Sequence, residues 1–413
     1  MKLAPLAPLY ERRGPWATAY LDTSVADEAL ATRRELQARE TAEDLARQGA
    51  DEATCRAVRE ALEAATHGGP GAGVAVFATG GEVVYASGLT APPESGSLTS
   101  WAPLPHVAPL VRLLPDEPDC LVARIDRTGA DLELRTADRH RPLDEVAGRD
   151  WPVHRTASAD WSERHFQLSV ENSWKENART VAEGIAQAVA ETGAELIVLA
   201  GDERERRTVR EALPQHLAPF AVETRHGGRA AGSSEESLDA AVEEEQQRFL
   251  RRRTAEQLER FEAARQRPDG RTEAVDGVPA LVEAAREHRI ETLLLHPEGP
   301  DTYAEVWAGP DPDQLATRRT EVRELGEPEP FATRADDALL RSAVTTSAAV
   351  VLVPGGEPER APQEDLAADN RTERQAGSGS EASGEVPVGG LGAVLRWATE
   401  GEHPRPEPGT GRG

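Results

Sequence analysis

The sequence predicts an α/β protein in three parts: an α+β segment over residues 1–145, an α/β segment over 146–269 and a further α/β segment over 270–413. Three observations carry this reading. Apolar runs flank Gly80-Gly81 and again Thr128-Gly129, which is the pattern of β-hairpins. Phe166, Val170, Trp174, Ala178, Val181, Ile185 and Val189 recur every three or four residues and lead to a continuous apolar run at 196–200, a long helix followed by a strand buried on both faces. Beyond residue 271, helical and strand-like stretches alternate.

In chain order, 16–22 reads as a strand and 28–48 as a charged helix, with 53–66 continuing the helical pattern up to the stop Gly68-Gly-Pro-Gly71. The hairpins 74–77/82–86 and 121–126/131–135 complete a meander of strands. The glycines at 68–73 do not make a phosphate loop, since no Lys-Ser/Thr pair follows and the next element is a strand. In the second segment Asp160 is placed to cap the long helix, with Glu163 reaching back, an Asp-led capping box. Asp202 caps a second helix over 203–213, a strand follows at 220–224, and a second long helix covers 235–267. That helix pairs Glu244/Arg248 and Glu256/Arg260 at i, i+4 spacing. Its cluster Arg248, Arg251, Arg252 and Arg253 reads as a solvated face balanced by Glu243 to Glu245, the alternative being a clamp on rRNA or an acidic partner. In the third segment helices are expected at 278–289 and 335–346 and strands at 290–295 and 348–353. Residues 357–385, rich in Pro, Gly, Glu and Ser, should lack fixed structure, with order returning at 388–397.

Composition limits the functions available. A net charge of −26 over 413 residues repels nucleic acid at long range, so any RNA contact must be local and no DNA partner is expected. Lysine occurs only at Lys2 and Lys175, and Cys55 and Cys120 stand in neither a metal-ligand nor a redox spacing. No metal or cofactor is expected. The start, Met1-Lys-Leu-Ala-Pro, has no apolar signal core and no stretch approaches a membrane span, so the expected compartment is the cytoplasm.

Three motifs carry a resemblance. They are Trp161-Ser-Glu-Arg-His-Phe-Gln with the long helix and Glu195-Leu-Ile-Val-Leu-Ala-Gly-Asp202, then Ala274-Val-Asp-Gly277 leading to 291–295, and Gly389 to Trp397. Together they resemble the bacterial relatives of the archaeal and eukaryotic release factors and Pelota, the group that includes the ribosome hibernation factor Balon. The resemblance implies a three-domain release-factor/Pelota-like architecture whose last domain is an α/β/α sandwich. It also implies binding to the 70S ribosome, with rRNA contacts at the A site and peptidyl-transferase centre and elongation factor Tu as a further partner in that group. True release factors carry Gly-Gly-Gln in the loop before the long helix, whereas Ala157-Ser-Ala-Asp-Trp-Ser162 stands here. Without those glycines and that amide the loop cannot shape the same oxyanion site.

The expected function is therefore a non-catalytic hibernation factor in the A site of idle ribosomes. The contact residues implied are His154, Arg155, Ser158, Asp160, Trp161, Ser162, Glu163 and Arg164. Trp161 has no packing reason at a helix tip, and stacking on a base would supply one. Two alternatives stay open. One is a peptidyl-tRNA hydrolase or rescue factor using His154, His165 or Glu163 as a general base, and the other is a stress-related interaction protein on the same fold.

Overall fold

The computed structural model describes residues 3–23, 30–65, 72–93, 96–114, 117–136, 139–147, 162–229, 234–265, 271–353 and 387–400. The chain divides into two compact units, one formed by 1–114 with 254–413 and the other by 115–253.

The N-terminal part of the first unit contains α1 (Pro8–Glu11), β1 (Trp16–Asp22), α2 (Leu30–Arg47), α3 (Glu52–Ala65), β2 (Gly73–Thr79), β3 (Glu82–Leu89), β4 (Leu98–Ala102) and α4 (Ala108–Leu113). Its sheet runs β3-β2-β1-β4, antiparallel throughout. Both central residues of the β2–β3 turn have positive φ, Gly80 at 58° and Gly81 at 80°, which is the condition for the tight hairpin expected there. The strand β1 is buried along nearly its whole length because its faces belong to different cores. Ala17, Ala19 and Leu21 pack with Leu45, Val58 and Leu62 of α2 and α3. Trp16 and Tyr20 join a core that includes Leu281, Leu293, Val306, Leu339 and Leu395.

The second unit holds β5 (Cys120–Asp126), β6 (Gly129–Thr136), β7 (Arg139–Ala147), α5 (Ser162–Thr192), β8 (Leu196–Ala200), α6 (Glu203–Ala212), β9 (Ala221–Thr224) and the first part of α7 (Glu235–Arg265). One sheet of order β7-β6-β5-β8-β9 is antiparallel from β7 to β5 and parallel from β5 to β9. Alternate residues of β5 face opposite layers. Leu121, Ala123 and Ile125 meet α5 and α6, while Cys120 and Val122 meet Leu238 and Val242 of α7. Burial of this kind on both faces explains the unbroken apolar runs at 121–123 and 196–200.

The rest of the first unit comprises β10 (Arg271–Asp276), α8 (Val278–Arg286), β11 (Ile290–Leu295), β12 (Glu305–Ala308), β13 (Leu315–Ala316), α9 (Arg319–Glu324), β14 (Phe331–Arg334), α10 (Ala335–Thr345), β15 (Ala349–Leu352) and β16 (Leu391–Glu400). Its main sheet runs β10-β16-β11-β15, and a small sheet β13-β12-β14 adjoins it. The pair Gly389-Gly390 has φ of 74° and 88° and lies against Gly299, where a Cβ on Gly390 would come within 2.5 Å of the Gly299 Cα. Only glycine fits that close approach, which accounts for the motif at the start of β16.

The architecture is the mixed α/β fold expected, with different boundaries. The reading from sequence divides the chain near 146 and 270. Strands β5, β6 and β7 instead pair with β8 and β9, so the division falls at 114/115. Residues 1–114 and 254–413 share one core and form one unit, whereas the reading from sequence put 1–145 and 270–413 in separate domains. The i, i+4 pair Glu244/Arg248 forms, whereas Arg260 makes two bonds to Glu291, at 2.7 and 2.8 Å. The stretch expected to lack structure, 357–385, lies outside the described residues.

Candidate functional site

Of the residues singled out from sequence, His154, Arg155, Ser158, Asp160 and Trp161 lie outside the described residues. Ser162, Glu163 and Arg164 form the first turn of α5. The described residues show how the rest of α5 is held.

Helix α5 is 31 residues long, and from Trp174 onward its apolar stripe is buried: Trp174, Ala178, Val181, Ala182, Ile185 and Ala188 all face the sheet. Burying a side chain of the size of Val or Ile contributes about 1.5–3 kcal/mol, so this half of the helix is strongly anchored. One polar contact and one close packing contact set its register. The Asn177 side chain, 2% exposed, donates from Nδ2 to the Arg127 carbonyl at 3.1 Å, fixing the helix to the β5–β6 turn. Gly184 lies against β7, where a methyl would come within 2.5 Å of Val146 Cγ2. The β5–β6 turn is itself built by Asp126, whose carboxylate accepts from the amides of Thr128 at 2.7 Å and Gly129 at 3.0 Å. Arg229 then clamps the sheet edge, with Nε 2.9 Å from Asp131 and Nη1 3.1 Å from Asp126, while Nη2 reaches Glu145 of β7.

The opposite layer is tied by a second guanidinium. Arg135, with its side chain 4% exposed, engages Glu133 through Nε at 3.0 Å, Asp239 through Nη1 at 2.6 Å and Glu235 through Nη2 at 3.4 Å. On α6, Asp202 caps the first turn by accepting from the Arg204 amide, as its position in sequence predicts. The arginine cluster of α7 is partly committed within the helix, since Arg248 pairs with Glu244 and Glu245 and Arg252 lies over the Phe249 ring. Those contacts agree with a balanced, solvated face.

The first unit holds a buried ionisable group that sequence reasoning missed. Asp337, on the first turn of α10, accepts from the Val107 and Ala108 amides at 2.9 and 3.0 Å and bonds His106 Nδ1 at 2.6 Å. It therefore caps α4 from 230 residues away in sequence. Burial alone would lower the titration of His106, but the Asp337 carboxylate outweighs it and raises the imidazole above its ordinary value. Asp336 beside it is chelated by Arg334 at 3.0 and 2.5 Å and is raised by burial and by Asp337. The signal in the sequence is Asp336-Asp337 at the start of an otherwise apolar helix. Burial pushes the Cys120 thiol up to about 12, so that side chain is packing material and no nucleophile. Among the described residues no cluster of His, Cys, Asp or Glu could hold a metal ion, and no helix is long and apolar enough to cross a membrane.

With this geometry in hand, comparisons with known proteins locate the chain. The family model of Bacterial archaeo-eukaryotic release factor family 2 matches residues 119–267. Two uncharacterised Mycobacterium tuberculosis proteins, MT2704 of strain CDC 1551 / Oshkosh and Rv2629 of strain ATCC 25618 / H37Rv, are each 28% identical over 402 residues, 96% of this chain and 97% of theirs. Among solved structures the chain is similar to the archaeal translation termination factor aRF1, at 16% identity over 95% of this chain and 96% of that one, with a TM-score of 0.25. It is also similar to Dom34 of S. cerevisiae, at 10% identity over 79% of each chain and a TM-score of 0.37. Archaeal Pelota, in a model of its ribosome-bound form with ABCE1, is 14% identical over 96% of this chain and 94% of that one, with a TM-score of 0.37. The matched segment contains β5 to β9, α5, α6 and α7, the elements that anchor one another above. The likeness to bacterial archaeo-eukaryotic release factor family 2 is thus carried by residues 119–267.

Proposed function

We propose that this protein is a translation factor that binds the ribosome without catalysing peptide release, occupying the A site of idle 70S ribosomes. The observation that carries the reading is the family match together with the position of residues 154–164. Residues 154–161 immediately precede, and Ser162 to Arg164 begin, a helix held along its second half by a five-stranded sheet, where release factors carry Gly-Gly-Gln. The loop here offers Arg155, Arg164 and Trp161 for rRNA, and no amide or glycine backbone with which to assemble an oxyanion site. With a net charge of −26 the whole protein's field opposes the approach, so a few local contacts must supply the binding.

A pelleting titration with vacant 70S ribosomes at two salt concentrations tests this. Binding should weaken only shallowly with salt, because few phosphates are neutralised. Trp161→Ala with Arg164→Ala should reduce co-sedimentation by about tenfold, at roughly 1–3 kcal/mol for a stacked base. Arg251→Ala with Arg252→Ala should leave it nearly unchanged. The reverse result would move the contact to α7 and overturn the assignment. In a peptidyl-tRNA assay the protein should release no peptide; release lost on mutating His165 or Glu163 would favour the rescue-factor alternative.

A further inference from the structure

His106, in the turn between β4 and α4, is held at three points. Its amide donates to the Thr18 hydroxyl at 3.1 Å, its carbonyl accepts from the Tyr20 hydroxyl at 2.7 Å, and Asp337 holds its Nδ1 at 2.6 Å. Nε2 meets no partner among the described residues and is not sealed from solvent, the side chain being 14% exposed. Arg334 repeats the arrangement. Asp336 takes its Nε and Nη2 at 3.0 and 2.5 Å, while Nη1 meets no partner among the described residues on a side chain 34% exposed. The guanidinium lies 4.3 Å from the centre of the Tyr303 ring.

Both side chains line one cavity of about 320 Å³ in the first unit, the size of a site for a small molecule. Arg112 of α4 lines it as well, and no described acid does. Asp336 and Asp337 are buried on α10 and form no part of that wall, so an occupant meets the donor side of each pair. Asp337 also keeps the His106 imidazole protonated to a higher pH than is ordinary, and in that form Nε2 is a donor. In a chain of net charge −26, a wall with three cations and no described acid selects an anion. Donors from three separate elements suit the three terminal oxygens of a phosphate monoester better than the two coplanar oxygens of a carboxylate. The exposed Tyr303 ring, with Leu98, Leu113 and Leu352, supplies wall for a flat apolar body.

We infer that this cavity binds a small phosphate monoester with a flat apolar body, the phosphate meeting His106 Nε2, Arg334 Nη1 and Arg112, and the body lying against Tyr303 and the leucines. All of its described residues lie outside the family-matched segment 119–267, and its occupancy requires nothing of residues 154–164.

The test is calorimetric titration of the full-length protein near neutral pH with phenyl phosphate, set against benzoate, inorganic phosphate and benzyl alcohol. Phenyl phosphate should bind with a dissociation constant of about 1 mM or tighter. Benzoate and inorganic phosphate should each be at least about fivefold weaker, the first for want of a third acceptor oxygen and the second for want of a body, and benzyl alcohol should give no binding heat. His106→Gln, which keeps a donor toward Asp337 and loses the charge, should weaken phenyl phosphate at least about tenfold with the circular dichroism of the parent. Should that variant fail to fold, Arg112→Gln decides, with an expected loss of at least about fivefold. Tyr303→Ala, at an exposed position, should weaken phenyl phosphate a few-fold and leave inorganic phosphate unchanged. Unchanged phenyl phosphate binding in a folded His106→Gln or Arg112→Gln variant, benzoate binding as tight as that of phenyl phosphate, or no heat with phenyl phosphate at about 10 mM would each overturn the assignment.

Discussion

Arg135 and Arg341 are buried to nearly the same degree, 4% of the side chain and 3% of the residue exposed, yet they meet opposite surroundings. Every nitrogen of Arg135 faces a carboxylate, from Glu133 on its own strand and from Glu235 and Asp239 on α7. Arg341 bonds one carbonyl, and burial lowers its titration to about 10, which still leaves it charged near neutrality. The difference teaches that burial alone does not give an arginine its role. A guanidinium saturated by carboxylates locks two layers together. One that bonds a single carbonyl makes no such tie.

The largest expected effect tests whether Asp337, four residues before Arg341, is after all its counterion. Asp337→Ala should cost about 3–5 kcal/mol, because His106 and two buried amides lose their acceptor. In urea unfolding the double variant with Arg341→Met should then be additive to within about 0.5 kcal/mol. A strong coupling between the two would make Arg341 a structural residue like Arg135 and erase the contrast.

Next in size is Arg135→Met, expected to cost about 2–3 kcal/mol, less than a fully buried pair because Glu235 and Asp239 are half exposed. Arg341→Met should change stability by no more than about 1 kcal/mol in either direction. The Gly309 carbonyl loses its donor while two unpaired N–H groups leave the interior. Equal losses at the two positions would show that the contrast is not energetic.

The smallest effect is a slope with pH. His106 sits above its ordinary value when folded, next to Asp337, Asp336 and Arg334, so the native state holds its proton more tightly than the unfolded state. Its contribution is complete below about pH 6.5 and is lost as pH rises through the folded value, at a rate no steeper than about 1.4 kcal/mol per unit. Asp336, raised as well, acts in the same direction at lower pH. Urea midpoints across pH 6–9 should decline for the parent and flatten for His106→Gln, and a parent stability that rose over this range would contradict the sign.

Elements whose apolar pattern is local are legible in the chain itself. Helix α5, the strand β8, the cap at Asp202 and the Gly80-Gly81 hairpin all stand where periodicity, capping chemistry and turn residues put them. The resemblance to release factors is carried by the same local motifs. Strand β7 was not legible, because Arg139–Ala147 is exposed along most of its length and carries charge and a proline, as an edge strand does. The small sheet β13-β12-β14 escaped for a related reason, its strands being two to four residues long.

By itself the sequence specified the helices and strands whose apolar pattern is local, the long helix among them, and the absence of Gly-Gly-Gln before it. The assembly of those segments was settled by folding. Strands 120–147 joined the sheet of 196–224, and residues 1–114 merged with 254–413 around one core, because the partners that complete a buried sheet face lie far away in the chain. The same holds for Arg341. In sequence it is one charged residue on a helix with an apolar face, and α10 became buried on every side, from Ala335 to Ala343, only when both parts of its unit closed around it. A guanidinium acquires its meaning from the acceptors that long-range packing brings to it or withholds, and no local pattern records them.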